Sequence, residues 1–184
     1  MAEQTNEKTT IYTIGHSTMP AEDFIGILKD HSITLVADVR SVPGSRHNPQ
    51  FSKAAIASAL GARCIAYVHM VGLGGFRKAD AGSDANAGWK NNAFRGYADY
   101  MQTPSFEESL GGLIEMAERG TVCIMCAETV PWRCHRSLLS DALTARGVEV
   151  VHIMGDGADH PHRVTDFALL EGERVTYPGE MTLS

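Results

Sequence analysis

The sequence predicts one α/β domain with a mostly parallel, open sheet and helices on both faces. Three observations predict it. Five short, continuously apolar runs recur along the chain, amphipathic stretches separate them, and polar or ionisable residues follow directly after the runs. Continuous rather than alternating apolar character is what a strand covered on both faces requires. The arrangement is Rossmann-like and three-layered, and its ligand crevice belongs beyond the carboxyl ends of the strands.

The first strand is expected at Ile11 to Ile14, after a polar segment, 1–10, read as flexible. Phe24, Ile27 and Leu28 form the apolar stripe of the first helix, and Leu35 to Val39 reads as the second strand. A helix carrying Lys53 precedes the third strand, Ile65 to His69. Gly72 to Asn92 is rich in Gly, Ala, Asp and Asn, the composition of a mobile loop or lid. Thr103 before Pro104 supplies an N-cap and an N1 proline for a helix with its stripe at Phe106, Leu110, Leu113, Ile114 and Ala117. The fourth strand is Val122 to Ala127 and the fifth Val148 to Met154. Between them lies a helix marked by Leu138, Leu139, Ala142 and Leu143, with Gly120 and Gly147 as stops before the strands. The tail from Gly155 reads as a C-terminal wrap, so residues 11–184 make one domain.

Composition narrows the class. Hydrophobic residues at 43% and charged residues at 21% supply a core and exclude a disordered or fibrous chain. No apolar run approaches the roughly 20 residues of a membrane span. The N-terminus lacks an apolar export signal, so a cytoplasmic location with four reduced cysteines is expected. A net charge of -6 argues against a nucleic-acid coat or a membrane-surface protein. An anionic partner would need a local basic site, and arginines cluster in the segments that follow the strands.

Those segments place His16 and Ser17 after the first strand, Asp38, Arg40 and Arg46 after the second, and His69 at the end of the third. Glu128, Cys134, His135 and Arg136 follow the fourth. In CAETVPWRCHR, Cys126 to Arg136, a helix starting near Pro131 or Trp132 would put Cys134 in its first turn. There the helix dipole, Arg133 and Arg136 favour a thiolate. Cys134 is the candidate nucleophile and His16 and Glu128 are candidate acid/base groups. Arg40, Arg46 and Arg136 would hold an anion, and Ser17, Asp38, His69 and His135 would line the site. Two alternatives stand beside this: Cys134 as a small core residue, and Asp38 with Arg40 as an internal ion pair. A cysteine-phosphatase or rhodanese-like loop after Cys126 fits poorly, because AETVPW lacks the glycines that cradle an anion. Cys123 and Cys126 within one strand would face opposite ways, which disfavours a redox or zinc pair. No closed four-ligand spacing is present, so neither a metal nor a cofactor is expected.

The leading functional expectation is an enzyme, a hydrolase or transferase, acting on a phosphorylated or otherwise anionic substrate such as a nucleotide or a nucleic-acid end. A non-catalytic nucleotide or nucleic-acid-binding module using the same arginines is one alternative. A thiol-based redox sensor at Cys134, with Cys126 as partner, is the other. The pattern sets no oligomeric state.

Several spaced segments add a resemblance: TIGHST at Thr13 to Thr18, DVRSVPGSRHNPQF at Asp38 to Phe51, LGG at Leu73 to Gly75, FRGYADYM at Phe94 to Met101, CAETVPWRCHR, and YPG at Tyr177 to Gly179. Together they resemble the bacterial and archaeal family called "domain of unknown function 488". The resemblance implies an α/β fold and supplies no activity and no residue roles. Ala79 to Lys90 looks like a variable insertion within it.

Overall fold

The computed structural model describes residues 8–179. Most of the N-terminal segment expected to be flexible lies outside the described residues. The chain forms a six-stranded sheet in the order β3-β2-β4-β1-β5-β6. Its strands are β1 (Thr10–Gly15), β2 (Leu35–Asp38), β3 (Ala66–His69), β4 (Val122–Cys126), β5 (Glu149–Ile153) and β6 (Asp159–Pro161). The first five run parallel, and β6 pairs antiparallel with β5. No helix among the described residues is long and apolar enough to cross a membrane.

Two apolar layers flank the sheet. On one face, α1 (Ala21–Asp30) and α2 (Lys53–Gly61) pack Phe24, Ile25, Leu28, Ile56 and Leu60 against Ile14, Val36 and Met125. On the other, α3 (Asn92–Tyr100), α4 (Pro104–Arg119) and α5 (Arg136–Ala145) pack Tyr97, Phe106, Leu110, Leu138 and Leu139 against Ile11, Ala37 and Ile124. Each such aliphatic or aromatic side chain contributes about 1.5–3 kcal/mol on full burial. Cys123 joins the first layer and Cys126 the second, as strand alternation requires. The Thr103 side chain caps α4 by accepting the Phe106 N–H at 3.3 Å, with Pro104 in the first turn.

The strand order places a switch point at the middle of the sheet. From β1 the chain crosses to β2 over one face, and from β4 it crosses to β5 over the other, so a crevice opens between the carboxyl ends of β1 and β4. Gly15 pairs with Cys126 across this point. A Cβ at Gly15 would overlap the Glu128 carbonyl, so glycine is what lets the loop after β4 fold over the end of β1.

Two details differ from the sequence expectation. Pro131–Arg133 forms a single 3-10 turn, Cys134 is extended at φ -130°, and α5 starts only at Arg136. Cys134 therefore lies just before the helix, not in its first turn. The tail contains β6 and a hairpin of β7 (Leu169–Glu171) and β8 (Arg174–Thr176), turned at Gly172 with φ +63°. These strands are three residues long and mostly exposed, too short for a period-2 pattern to show. The segment read as a loop or lid is irregular and pinned at Asn86, whose side chain donates to Asp99 at 2.7 Å and accepts the Tyr177 N–H at 3.0 Å.

Candidate active site

The carboxyl edge of the sheet carries two polar corners. In the first, Asp38 at the end of β2 is fully buried and holds Arg40 in a fork, with Nε to Oδ1 at 2.9 Å and a terminal nitrogen to Oδ2 at 2.6 Å. Tyr67 Oη donates to the same carboxylate at 2.6 Å. The other terminal nitrogen of Arg40 donates to the Phe51 carbonyl at 2.8 Å and approaches His16 Nε2 at 3.2 Å. His16 Nδ1 faces the Ser17 carbonyl at 2.8 Å. A carbonyl needs Nδ1–H and a guanidinium needs a lone pair on Nε2, so the neighbours select the neutral Nδ1–H tautomer. Burial, with the Arg40 charge adding to it, holds the His16 pKa down at about 4, and the ring stacks on Phe51 at 4.1 Å. Every group in this corner has its partner.

The second corner is built from sulfur. Cys126 ends β4, the 3-10 turn brings the chain back, and Cys126 Sγ and Cys134 Sγ lie 3.1 Å apart. His135 Nδ1 is 3.5 Å from Cys134 Sγ. Gly75 makes room for this ring, because a Cβ there would sit 2.5 Å from Nδ1. Arg136 is 1% exposed and donates to oxygens of Thr13, Glu128 and Thr129, with Nε buried and without a partner among the described residues. No carboxylate pairs with it among the described residues. The hydrogen bond from Cys126, opposed by burial and helped by the Arg136 charge and backbone N–H, brings the Cys134 pKa down to about 6. The same contact and burial push Cys126 up. The two thiols form one coupled pair that releases its first proton readily and its second with difficulty. Burial lowers the His135 pKa, leaving a neutral ring beside the pair.

A buried chain of hydrogen bonds runs from Arg136 under the sheet. Arg136 donates to Thr13 Oγ1 at 3.1 Å, which meets His152 Nδ1 at 2.7 Å; His152 Nε2 meets His162 Nδ1 at 2.9 Å, and His162 Nε2 meets Asp141 at 2.7 Å. Tyr177 Oη donates to the other Asp141 oxygen at 2.7 Å. Arg136 can only donate and the Asp141 carboxylate can only accept, so the two charged ends of the chain are complementary. Burial, the neighbouring His162 and Arg136 hold the His152 pKa at about 3.

Two cavities open over the corners. One, about 180 Å³, is lined by Arg40, Ser41, Gly75, Phe76, Cys126 and His135 among others. The other, about 340 Å³, is lined by His16, Ser17, Arg40, Ser45 and Asn48 and shares Arg40, Val42 and Ala127 with the first. The structure thus brings together His16, Ser17, Asp38, Arg40, Cys134 and His135 of the expected site. His69 stands behind it, half-buried, with Nε2 2.8 Å from the Arg40 carbonyl. Arg46 and Glu128 are exposed, and the Glu128 carboxylate accepts the Val130 N–H at 3.3 Å. Arg136 lies inside the fold rather than on the crevice. Cys126 as a pocket-lining thiol, Tyr67 as a partner of Asp38, and the Thr13, Asp141, His152, His162 and Tyr177 chain were not anticipated. The position of Cys126 at a strand end was the one available signal.

Among family descriptions, residues 20–143 match the one given as "Domain of unknown function DUF488". No curated protein and no solved structure matches the chain.

Proposed function

The chain belongs to the DUF488 family, which brings no assigned chemistry, and from its own geometry we propose a thiol enzyme that acts on a small anionic electrophile. The observation that carries this reading is the 3.1 Å contact of Cys126 and Cys134 beside a buried arginine that pairs with no carboxylate among the described residues. A buried guanidinium without a counter-charge is costly, and a shared thiolate relieves that cost. Cys126 reaches the 180 Å³ pocket, while the adjoining crevice offers Ser17, Ser45, Asn48 and the edge of Arg40 to the anionic part of a substrate, a phosphate ester or nucleotide among them. The thiolate of the pair attacks the electrophilic atom, a sulfur–substrate bond forms, and an anionic leaving group departs with its bonding electrons. The one remaining proton stays on the second sulfur. His16 takes no part as an acid or base, since both ring nitrogens are engaged.

Acetyl phosphate, a small anionic electrophile, tests the reading. Intact-mass analysis of reduced, metal-free protein is expected to show one acetyl group on the peptide spanning Cys126 and Cys134. Cys126→Ser or Cys134→Ser should abolish it and Cys64→Ser should not. Acetylation of exposed Cys64 alone, or none, overturns the proposal.

The short sulfur–sulfur contact also favours a second reading, the redox sensor. A hydroperoxide would accept the attack at oxygen, breaking O–O and leaving a sulfenic acid and an alcohol; the second thiol then forms S–S and water departs. A reversible loss of two hydrogens on peroxide treatment, without acylation by acetyl phosphate, would select this reading. Anion binding with neither modification would make the domain a binding module.

A further inference from the structure

Resting on the same thiol pair, we propose that Cys126, Cys134 and His135 of the reduced protein bind one thiophilic divalent cation of the zinc class, with the fourth coordination position open to the pocket. The donor atoms of these three residues all lie within 4.8 Å of one another. Two sulfurs and one imidazole nitrogen are the donor set that zinc prefers over harder cations. On a tetrahedral ion with usual bond lengths, sulfur and nitrogen stand about 3.5 Å apart and two sulfurs about 3.8 Å apart. Cys134 Sγ and His135 Nδ1 are already at 3.5 Å, and the sulfurs, at 3.1 Å, need only a small opening.

The surroundings support a three-ligand site rather than a closed one. Cys126 and His135 line the 180 Å³ pocket, so an ion held between them meets solvent or a ligand on one side. Two thiolates balance the charge of a divalent cation, their protons leaving to solvent. Arg136 remains as a buried positive charge, which an anion in the fourth position would offset. Gly75 serves this arrangement directly, because any larger residue would push the His135 ring off the sulfurs. Ligation removes both sulfurs from covalent chemistry, so metal occupancy and thiol reactivity exclude each other and the ion acts as a switch on the proposed activity.

The test titrates the reduced, metal-free full chain with cobalt(II), then with zinc(II). One equivalent of cobalt should give an intense thiolate-to-metal charge-transfer band that zinc displaces, and bound zinc should block alkylation of Cys126 and Cys134. Cys126→Ser and Cys134→Ser should lose the band. His135→Gln, which keeps a polar side chain, should weaken binding at least tenfold with circular dichroism unchanged, and Cys64→Ser should bind as the parent does. A folded parent protein without the band, or a band that survives all three ligand substitutions, overturns the inference. Acetylation of the metal-free pair in a protein that binds no cobalt defeats the metal site and leaves the thiol reading standing. Metal binding without acetylation does the reverse.

Discussion

Two arginines follow adjacent strands at the same sheet edge, and their surroundings are opposites. Arg40 meets Asp38 in a bidentate fork within two residues of itself, so its charge is answered locally and its corner is closed. Among the described residues Arg136 meets carbonyls and a hydroxyl but no carboxylate, and its charge falls on the sulfur pair and, through four hydrogen bonds, on distant Asp141. A satisfied charge builds structure. The Cys134 thiol is lowered first by its hydrogen bond with Cys126, and the Arg136 charge adds to that, whereas Arg40 spends its donors on Asp38, Phe51 and His16.

The same substitution at the two positions breaks this comparison most sharply. Arg40→Met leaves the Asp38 carboxylate buried without its partner and should cost about 3–5 kcal/mol in urea denaturation. Arg136→Met strands no carboxylate beside it, and the sulfur pair can take up a proton once the charge is gone, so it should cost less than about 2 kcal/mol. A larger loss at Arg136 than at Arg40 would reverse the assignment of roles.

Acid should act on the Arg136 side through His152. Its folded pKa, about 3, lies below the unfolded value of 6.5, so the folded state binds fewer protons in that interval. Its contribution is complete above pH 6.5 and is lost as pH falls toward 3, at about 1.4 kcal/mol per pH unit at the steepest. His152→Asn should flatten that part of the stability profile, measured as urea midpoints against pH. An unchanged slope would show that the ring is not held neutral by burial.

Smaller effects sharpen the contrast. At pH 7, in metal-free protein, Arg136→Met should slow alkylation of the Cys126–Cys134 pair about tenfold, because the charge that favours the thiolate is gone. Iodoacetamide labelling followed by peptide mass analysis reads this directly, and an unchanged rate would assign the low Cys134 pKa to Cys126 alone. Tyr67→Phe should cost roughly 1 kcal/mol, removing one of the bonds to Asp38 while its ion pair with Arg40 persists. Thermal melts of this variant would show whether the closed corner depends on the phenol.

The fold was largely legible. Apolar runs placed five strands within a residue or two, Thr103 and Pro104 marked the start of α4, and strand alternation sent Cys123 and Cys126 to opposite faces. The site was legible only as an edge. His16, Asp38, Arg40 and Cys134 were placed by the rule that function follows strand ends, yet nothing in their spacing says which arginine has a carboxylate.

What the sequence by itself determined is what depends on near neighbours: strand and helix periods, caps, and the alternation that sends Cys123 and Cys126 to opposite faces. Tertiary structure alone decided that Cys126 meets Cys134, that His152, His162 and Asp141 join Thr13 to one chain, and that Cys126 rather than Arg136 faces the pocket. These contacts depend on a 3-10 turn after Pro131, on close approaches at Gly15 and Gly75, and on a strand order that sets β1 between β4 and β5. Local patterns follow from the backbone geometry of a few residues. The partners of a buried charge follow from which distant segments close around it, and that is fixed only when the whole core packs.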